Sequence, residues 1–280
     1  MRKQLIKNAM IFALVAICGY AYSQETVLQY KFVKGQTYTQ EMVLTNNMIQ
    51  SFGGQEMKMI MDMSSLGEMF IEDINENGDI TAIELLKDIS IHSVMMGKDT
   101  TMTYTDINEK CRIVYSKEGN LISREIIDTA SIASLTGATN QTARLIYLPG
   151  KSIKSGDKWQ NTKTDKNEIS EKNPIETVIV SNEDYTYLGK EALEGKEFEK
   201  ISMESTSVIE GQGSQMGMEL YMDGNGKSQG FAYFDTVNSM IVYSEIDTEM
   251  NMTIAFAGQE NMTIPMIQSM KVVSKFRIKK

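Results

Sequence analysis

Met240-Ile-Val-Tyr-Ser-Glu-Ile-Asp-Thr-Glu-Met-Asn-Met-Thr-Ile-Ala-Phe256 decides the fold. Met240, Val242, Ile246, Met250, Met252, Ile254 and Phe256 share one parity, and Glu245, Asp247, Glu249 and Asn251 share the other. Alternate side chains of an extended chain point to opposite faces. A period of two with one polar face therefore marks an antiparallel strand that covers a core on one side only.

The same pattern recurs in both directions from this stretch. Leu28, Tyr30 and Phe32 alternate with Gln29 and Lys31; Met57, Met59, Met61 and Met63 alternate with Glu56, Lys58 and Asp62; Met216, Met218, Leu220 and Met222 repeat it. Ile83, Leu85, Ile89 and Ile91 share a parity that Lys87 interrupts. Turn signals at Asn77-Gly78, Glu118-Gly119-Asn120, Glu194-Gly195 and Asp223-Gly224-Asn225-Gly226 read as hairpin loops between the runs. Asp128 to Tyr147 is small and polar, and reads as a loop or short helix with Asp128 at its N-cap. Several runs exceed the usual 5–6 residues of a strand. The expectation is a mainly β protein of long antiparallel strands, with little helix, forming a curved sheet or open half-barrel.

Leu148-Pro-Gly-Lys-Ser-Ile-Lys-Ser-Gly-Asp-Lys-Trp159 holds one of three prolines and the only tryptophan. Its close, Ser155-Gly156-Asp157-Lys158-Trp159, has the form of Lys34-Gly35-Gln36-Thr37-Tyr38: a glycine, two polar residues, then an aromatic that opens an extended run. The repeat divides the chain into two related halves, 24–148 and 149–280, forming one continuous β unit or two tandem ones.

Residues 1–23 read as a secretory signal peptide. Arg2, Lys3 and Lys7 make a basic start, an apolar run from Ala9 to Ala21 follows, and small residues stand before a cleavage point after Ser23. The run is shorter than the roughly 20 residues that span a bilayer, and no later run approaches that length. The expected location is secreted or periplasmic. Lipid anchoring at Cys18 is the lesser reading, because Ile17 occupies a position where a lipobox needs a small residue. Cys111 then has no intrachain partner, so packing must supply the stability. The net charge is −9, and removing the three basic residues of the leader makes it −12. That balance opposes binding to nucleic acid and to anionic membranes.

Catalysis finds little support. There is one histidine, His92, with no glycine-flanked serine elbow and no phosphate-binding loop. The carboxylates lie along solvated strand faces. No enzyme activity is expected.

Two motifs carry other chemistry. Asp73-Ile-Asn75-Glu-Asn77-Gly78-Asp79-Ile-Thr-Ala-Ile-Glu84 satisfies the calcium-loop pattern, with Asp73, Asn75, Asn77, Asp79 and Glu84 as ligands. The flanking segments lack the helices of an EF-hand, so a hairpin with an acidic tip explains the same residues. Methionine is the second. Twenty remain besides Met1 and Met10, many spaced M-x-M so that their thioethers share a face. Met57, Met59, Met61, Met63, Met216, Met218, Leu220 and Met222 are the candidate lining of an adaptable apolar cavity for a hydrophobic small molecule or lipid. The same thioethers suit Cu(I), and they also suit plain core packing.

Leu148-Pro149-Gly150-Lys-Ser-Ile153-Lys-Ser-Gly156-Asp157-Lys-Trp159 resembles the P-x-x-x-V-x-x-G-D-x-W signature of secreted bacterial β proteins grouped as a domain of unknown function. Tyr30 to Tyr38, Tyr187 to Phe198 and Gly230 to Ile241 are similar to other parts of that pattern, with Asn238-Ser239 standing where the family has a glycine turn. The resemblance implies a periplasmic or lipoprotein address in Gram-negative bacteria and a β architecture, and it implies no activity. Three functions follow in order: binding of an apolar or lipid-like ligand in a Met-rich concavity, an envelope structural or interaction protein, and a calcium-binding module.

Overall fold

The computed structural model describes residues 25–128, 145–167, 175–215, 218–257 and 262–279. The expected signal peptide, Met216 and most of the expected loop or helix at 128–147 lie outside them. In order the strands are β1 (Thr26–Val27), β2 (Thr37–Phe52), β3 (Gln55–Ile74), β4 (Ile80–Met95), β5 (Lys98–Tyr104), β6 (Glu109–Tyr115), β7 (Leu121–Asp128), β8 (Ser152–Ile153), β9 (Lys158–Asn167), β10 (Ile175–Leu193), β11 (Lys196–Gln215), β12 (Met218–Asp235), β13 (Met240–Ala257) and β14 (Met262–Ile278). Asp128, expected to cap a helix, ends β7.

Twelve strands form one antiparallel curved sheet in the order β7-β6-β4-β3-β2-β14-β13-β12-β11-β10-β9, with β5 beside the upper part of β4. Each half of the chain contributes six strands, and the ladder between β14 and β2 joins them into one surface. Among the described residues no ladder closes β7 onto β9, and the sheet is an open half-barrel.

The two halves open alike. Gly35 N–H donates to Ile71 O (2.9 Å), Gln36 N–H to Val33 O (3.0 Å) and Ile71 N–H to Gln36 O (2.9 Å). Gly156 N–H donates to Tyr187 O (2.8 Å), Asp157 N–H to Lys154 O (2.9 Å) and Tyr187 N–H to Asp157 O (3.0 Å). Both glycines are left-handed, at φ +83° and +93°, a conformation that disfavours a side chain.

Two extended straps plug the end of the half-barrel where these turns lie. Residues 28–36 keep the alternation seen in the sequence but form no ladder; Leu28, Tyr30 and Phe32 are driven into the core instead. Residues 145–151 lie against them. Tyr30 Oη donates to Ile146 O (2.8 Å), and Gly150 N–H donates to Leu28 O (3.1 Å). β1 and β8 finish the crossing as a two-stranded ladder. The plug buries Tyr38, Ile71, Leu148, Trp159, Tyr185, Ile201 and Phe234 in one cluster fed by both halves. Trp159 stacks on Tyr185 with ring centroids 5.4 Å apart, and its indole N–H reaches Tyr147 O at 3.1 Å.

Two sequence readings need correction. Asp223-Gly224-Asn225-Gly226 is not a turn but the middle of β12. A Cβ on Gly224 would lie 2.6 Å from Met252 Cγ, and one on Gly226 would lie 2.6 Å from Ser207 Oγ, so these glycines let neighbouring inner side chains lie flat. The interruption at Lys87 is a β-bulge: Leu66 pairs with Asp88 and Gly67 with Leu86, leaving Lys87 unpaired. The extra residue changes the phase of β4. Ile89 and Ile91 face inward and are buried, whereas below the bulge Ile80, Ala82 and Glu84 face inward, and Ile83 and Leu85 do not.

Candidate functional site

The inner face of the sheet beyond the plug is the candidate site. Along β3, Met57, Met59, Met61 and Met63 all point inward, opposite Gln50, Met48, Asn46 and Leu44 of β2. Met63 is buried at 1% exposure, in a cluster with Met42, Leu44, Ile89, Ile91 and Ile107; the other three stay half-buried. On β12, Leu220 is buried, while Met218 and Met222 are half-buried on the same inner parity. The two predicted groups thus line one concave face, with β2, β14 and β13 between them.

Those intervening strands hold site residues that the M-x-M search passed over. Met266 of β14 faces Gln50 on β2 and Met252 on β13; Gln268 faces Met48 and Met250; Met270 faces Asn46 and Thr248. With Met57, Met59 and Met61, these rows make a lattice of thioethers interrupted by three amides. Gln50 Nε2 lies 3.3 Å from both Met48 Sδ and Met266 Sδ, and Gln268 Nε2 donates to Asn46 Oδ1 at 3.0 Å. The lattice was legible only as isolated strands, because β2 and β14 come from opposite ends of the chain.

The outer face has the opposite character. Glu245, Asp247 and Glu249 follow one another outward on β13, with Asp223 and Lys227 on β12 and Lys271 on β14. A sheet that spans a bilayer carries an apolar band outside, where a mid-membrane Lys or Arg costs about 2–4 kcal/mol. The outer face of this sheet sets such charges among scattered exposed apolar residues, Val43, Ile60 and Ile267 among them. Among the described residues, no helix is long and apolar enough to cross a membrane.

Between the plug and the methionines lies a polar band. Gln40, Ser65, Gly67, Glu84, Glu109, Cys111 and Arg124 border a cavity of about 40 Å³, room for a few waters at roughly 10–15 Å³ each. Tyr115 Oη donates to Glu84 Oε1 at 3.1 Å. Burial pushes the Glu84 carboxyl up to about 7, against the opposing pull of Arg124 and the Tyr115 hydroxyl.

That placement bears on the calcium pattern. Asn75 Oδ1 accepts from the Asn77 and Asp79 backbone N–H groups at 2.9 Å each, Asn75 Nδ2 donates to Asp79, and Asp73 pairs with Lys34 at 2.7 Å. Asn75, Asn77 and Asp79 therefore build the β3–β4 turn. Asp73 faces Thr81 across the ladder, while Glu84 sits three residues further along β4, roughly 10 Å away. Its side chain is on the inner face, so the expected bidentate ligand does not join the loop oxygens. No group of three or more His, Cys, Asp or Glu side chains is arranged to hold a metal among the described residues. His92 lies on the outer face of β4, 3.0 Å from Asp99 and 3.5 Å from Asp62.

Fold and site together define an open antiparallel β half-barrel with a plugged end and a methionine-lined trough. No family model matches the chain, and no curated protein matches it either. Among solved structures, an outer membrane channel from Pseudomonas putida F1 is 9% identical with a TM-score of 0.25, covering 87% of this chain and 97% of its own. OccK7 of Pseudomonas aeruginosa is 7% identical with a TM-score of 0.26, over 89% and 100%. The translocator domain of the autotransporter NalP from Neisseria meningitidis is 6% identical with a TM-score of 0.22, over 98% and 97%. Those scores lie below the level at which two chains share a fold, and nothing about this chain follows from them.

Proposed function

We propose that this is a non-enzymatic, extracytoplasmic binding protein that holds an apolar or lipid-like ligand in its trough. One observation carries the reading: Met48, Met57, Met59, Met252 and Met270 on the inner faces of β2, β3, β13 and β14 stay half-buried around a covered Met266, while the residues nearer the plug are covered. Methionine offers three rotatable bonds and a polarizable sulfur, so a wall of it adapts to irregular apolar shapes. The amides of Asn46, Gln50 and Gln268 supply the few polar contacts such sites use for orientation. The leader-like start and the resemblance of 148–159 to secreted bacterial β proteins support the location.

The test is uptake of an environment-sensitive apolar dye by delipidated protein, displaced by a long-chain fatty acid. Wild type is expected to take up the dye saturably. Met59→Glu with Met252→Glu weakens binding at least tenfold, and Ile60→Glu on the outer face leaves it unchanged. Absence of dye uptake, together with a ligand-free native mass spectrum of protein from its own envelope, overturns the reading in favour of an envelope structural protein.

A further inference from the structure

We infer that the β2–β14 seam of the trough is also a binding site for a soft monovalent metal ion, Cu(I) in its chemistry, held by methionine thioethers. Met48 Sδ and Met266 Sδ lie 3.3 Å from the same nitrogen, Gln50 Nε2, so two sulfurs from opposite ends of the chain converge on one point. Met57 stands directly across β3 from Gln50, Met59 across from Met48, and Met252 across β13 from Met266. A third sulfur is therefore available from either side once the Gln50 amide turns away.

The donor set selects the ion. Thioethers are uncharged and soft; they suit Cu(I), whereas Ca²⁺ and Mg²⁺ require oxygen ligands and Zn²⁺ takes nitrogen, thiolate or carboxylate. The ladder fixes the backbone of all four strands, and only methionine and glutamine torsions need to change. No redox step is involved, because the ion binds and leaves as Cu(I).

The site does not depend on the lipid reading, and the two fail separately. Met→Leu keeps volume and apolarity but removes the sulfur. The experiment titrates the chain from residue 24 onward, with Cys111→Ala in every arm to exclude thiolates, with Cu(I) against a chromophoric chelator, and in parallel with the apolar dye. The parent is expected to hold one equivalent of Cu(I), with sulfur-only scattering in its X-ray absorption. Met48→Leu with Met266→Leu weakens Cu(I) binding at least tenfold, and Ile60→Leu on the outer face leaves it unchanged. Circular dichroism confirms that each variant is folded. Equal Cu(I) affinity in parent and double variant, or none in the folded parent, overturns the proposal whatever the dye does.

Discussion

The plugged end and the open end of this half-barrel are two ends of one sheet, and their inner faces differ in composition. At the plug the buried residues are mainly aromatic and branched, with Met69, Met203 and Met240 among them: Tyr38, Ile71, Trp159, Tyr185, Ile201 and Phe234, crossed by straps that contribute Leu28, Tyr30 and Leu148. At the open end the inner face carries Met48, Met57, Met59, Met252 and Met266, with glycines at 224 and 226, and β2, β3 and β12 run through both ends. Stiff side chains with few rotamers suit a region that must hold one arrangement. Unbranched, polarizable ones suit a surface whose partner varies. The comparison teaches that stability and adaptability have been separated along the strand axis, with the polar band around Glu84 between them.

The largest effect should come from breaking the plug. Trp159→Ala removes a ring stacked on Tyr185 and a hydrogen bond to Tyr147, and should cost about 3–5 kcal/mol in denaturant unfolding. The equivalent change in the trough, Met57→Ala, should cost less than half as much, because that side chain is only half-buried.

The boundary band should report through pH. Glu84 titrates at about 7 in the fold against an ordinary 4.5, so the native state holds the extra proton. The stability this contributes is fully present below about pH 4.5 and is lost as pH rises through about 7, on the order of 3 kcal/mol. Glu84→Gln should therefore be the more stable protein at pH 8 and lose that part of the slope between pH 4.5 and 7. An unchanged slope would place the carboxyl in solvent.

A smaller effect compares the two halves within the plug. Gly35→Ala and Gly156→Ala each place a side chain at φ near +90° with nothing within 4 Å to collide with. Each should cost about 1–2 kcal/mol from backbone strain alone, and nearly the same amount. A large difference between them would break the equivalence of the two openings. The smallest effect should be Met57→Leu in the trough, below about 1.5 kcal/mol in thermal unfolding.

Strand identity was legible because alternation is a local property: Met240 to Phe256 reads as one-sided, and β13 alternates in exposure from Ile246 to Met252. The candidate site was half legible. Met57, Met59, Met61 and Met63 declare their shared face by spacing. Met48 and Met266 do not, since they meet only through a ladder linking residues more than two hundred positions apart. Gly224 and Gly226 misled because a glycine that makes room for Met252 looks in sequence like one that makes a turn. Glu84 misled because the calcium pattern counts residues, whereas the bulge at Lys87 and the pairing with Met69 decide which way the carboxylate points.

By itself the sequence determined the β class, the one-sided strands and the repeated glycine–aromatic openings, because each depends on neighbours within a few residues. Only the tertiary structure decided that the strands form one open sheet and that the first strands of the straps become a plug. It also decided that thioethers from both ends of the chain share a wall. Those depend on long-range pairing and on the phase of each strand, which one bulged residue is enough to reverse.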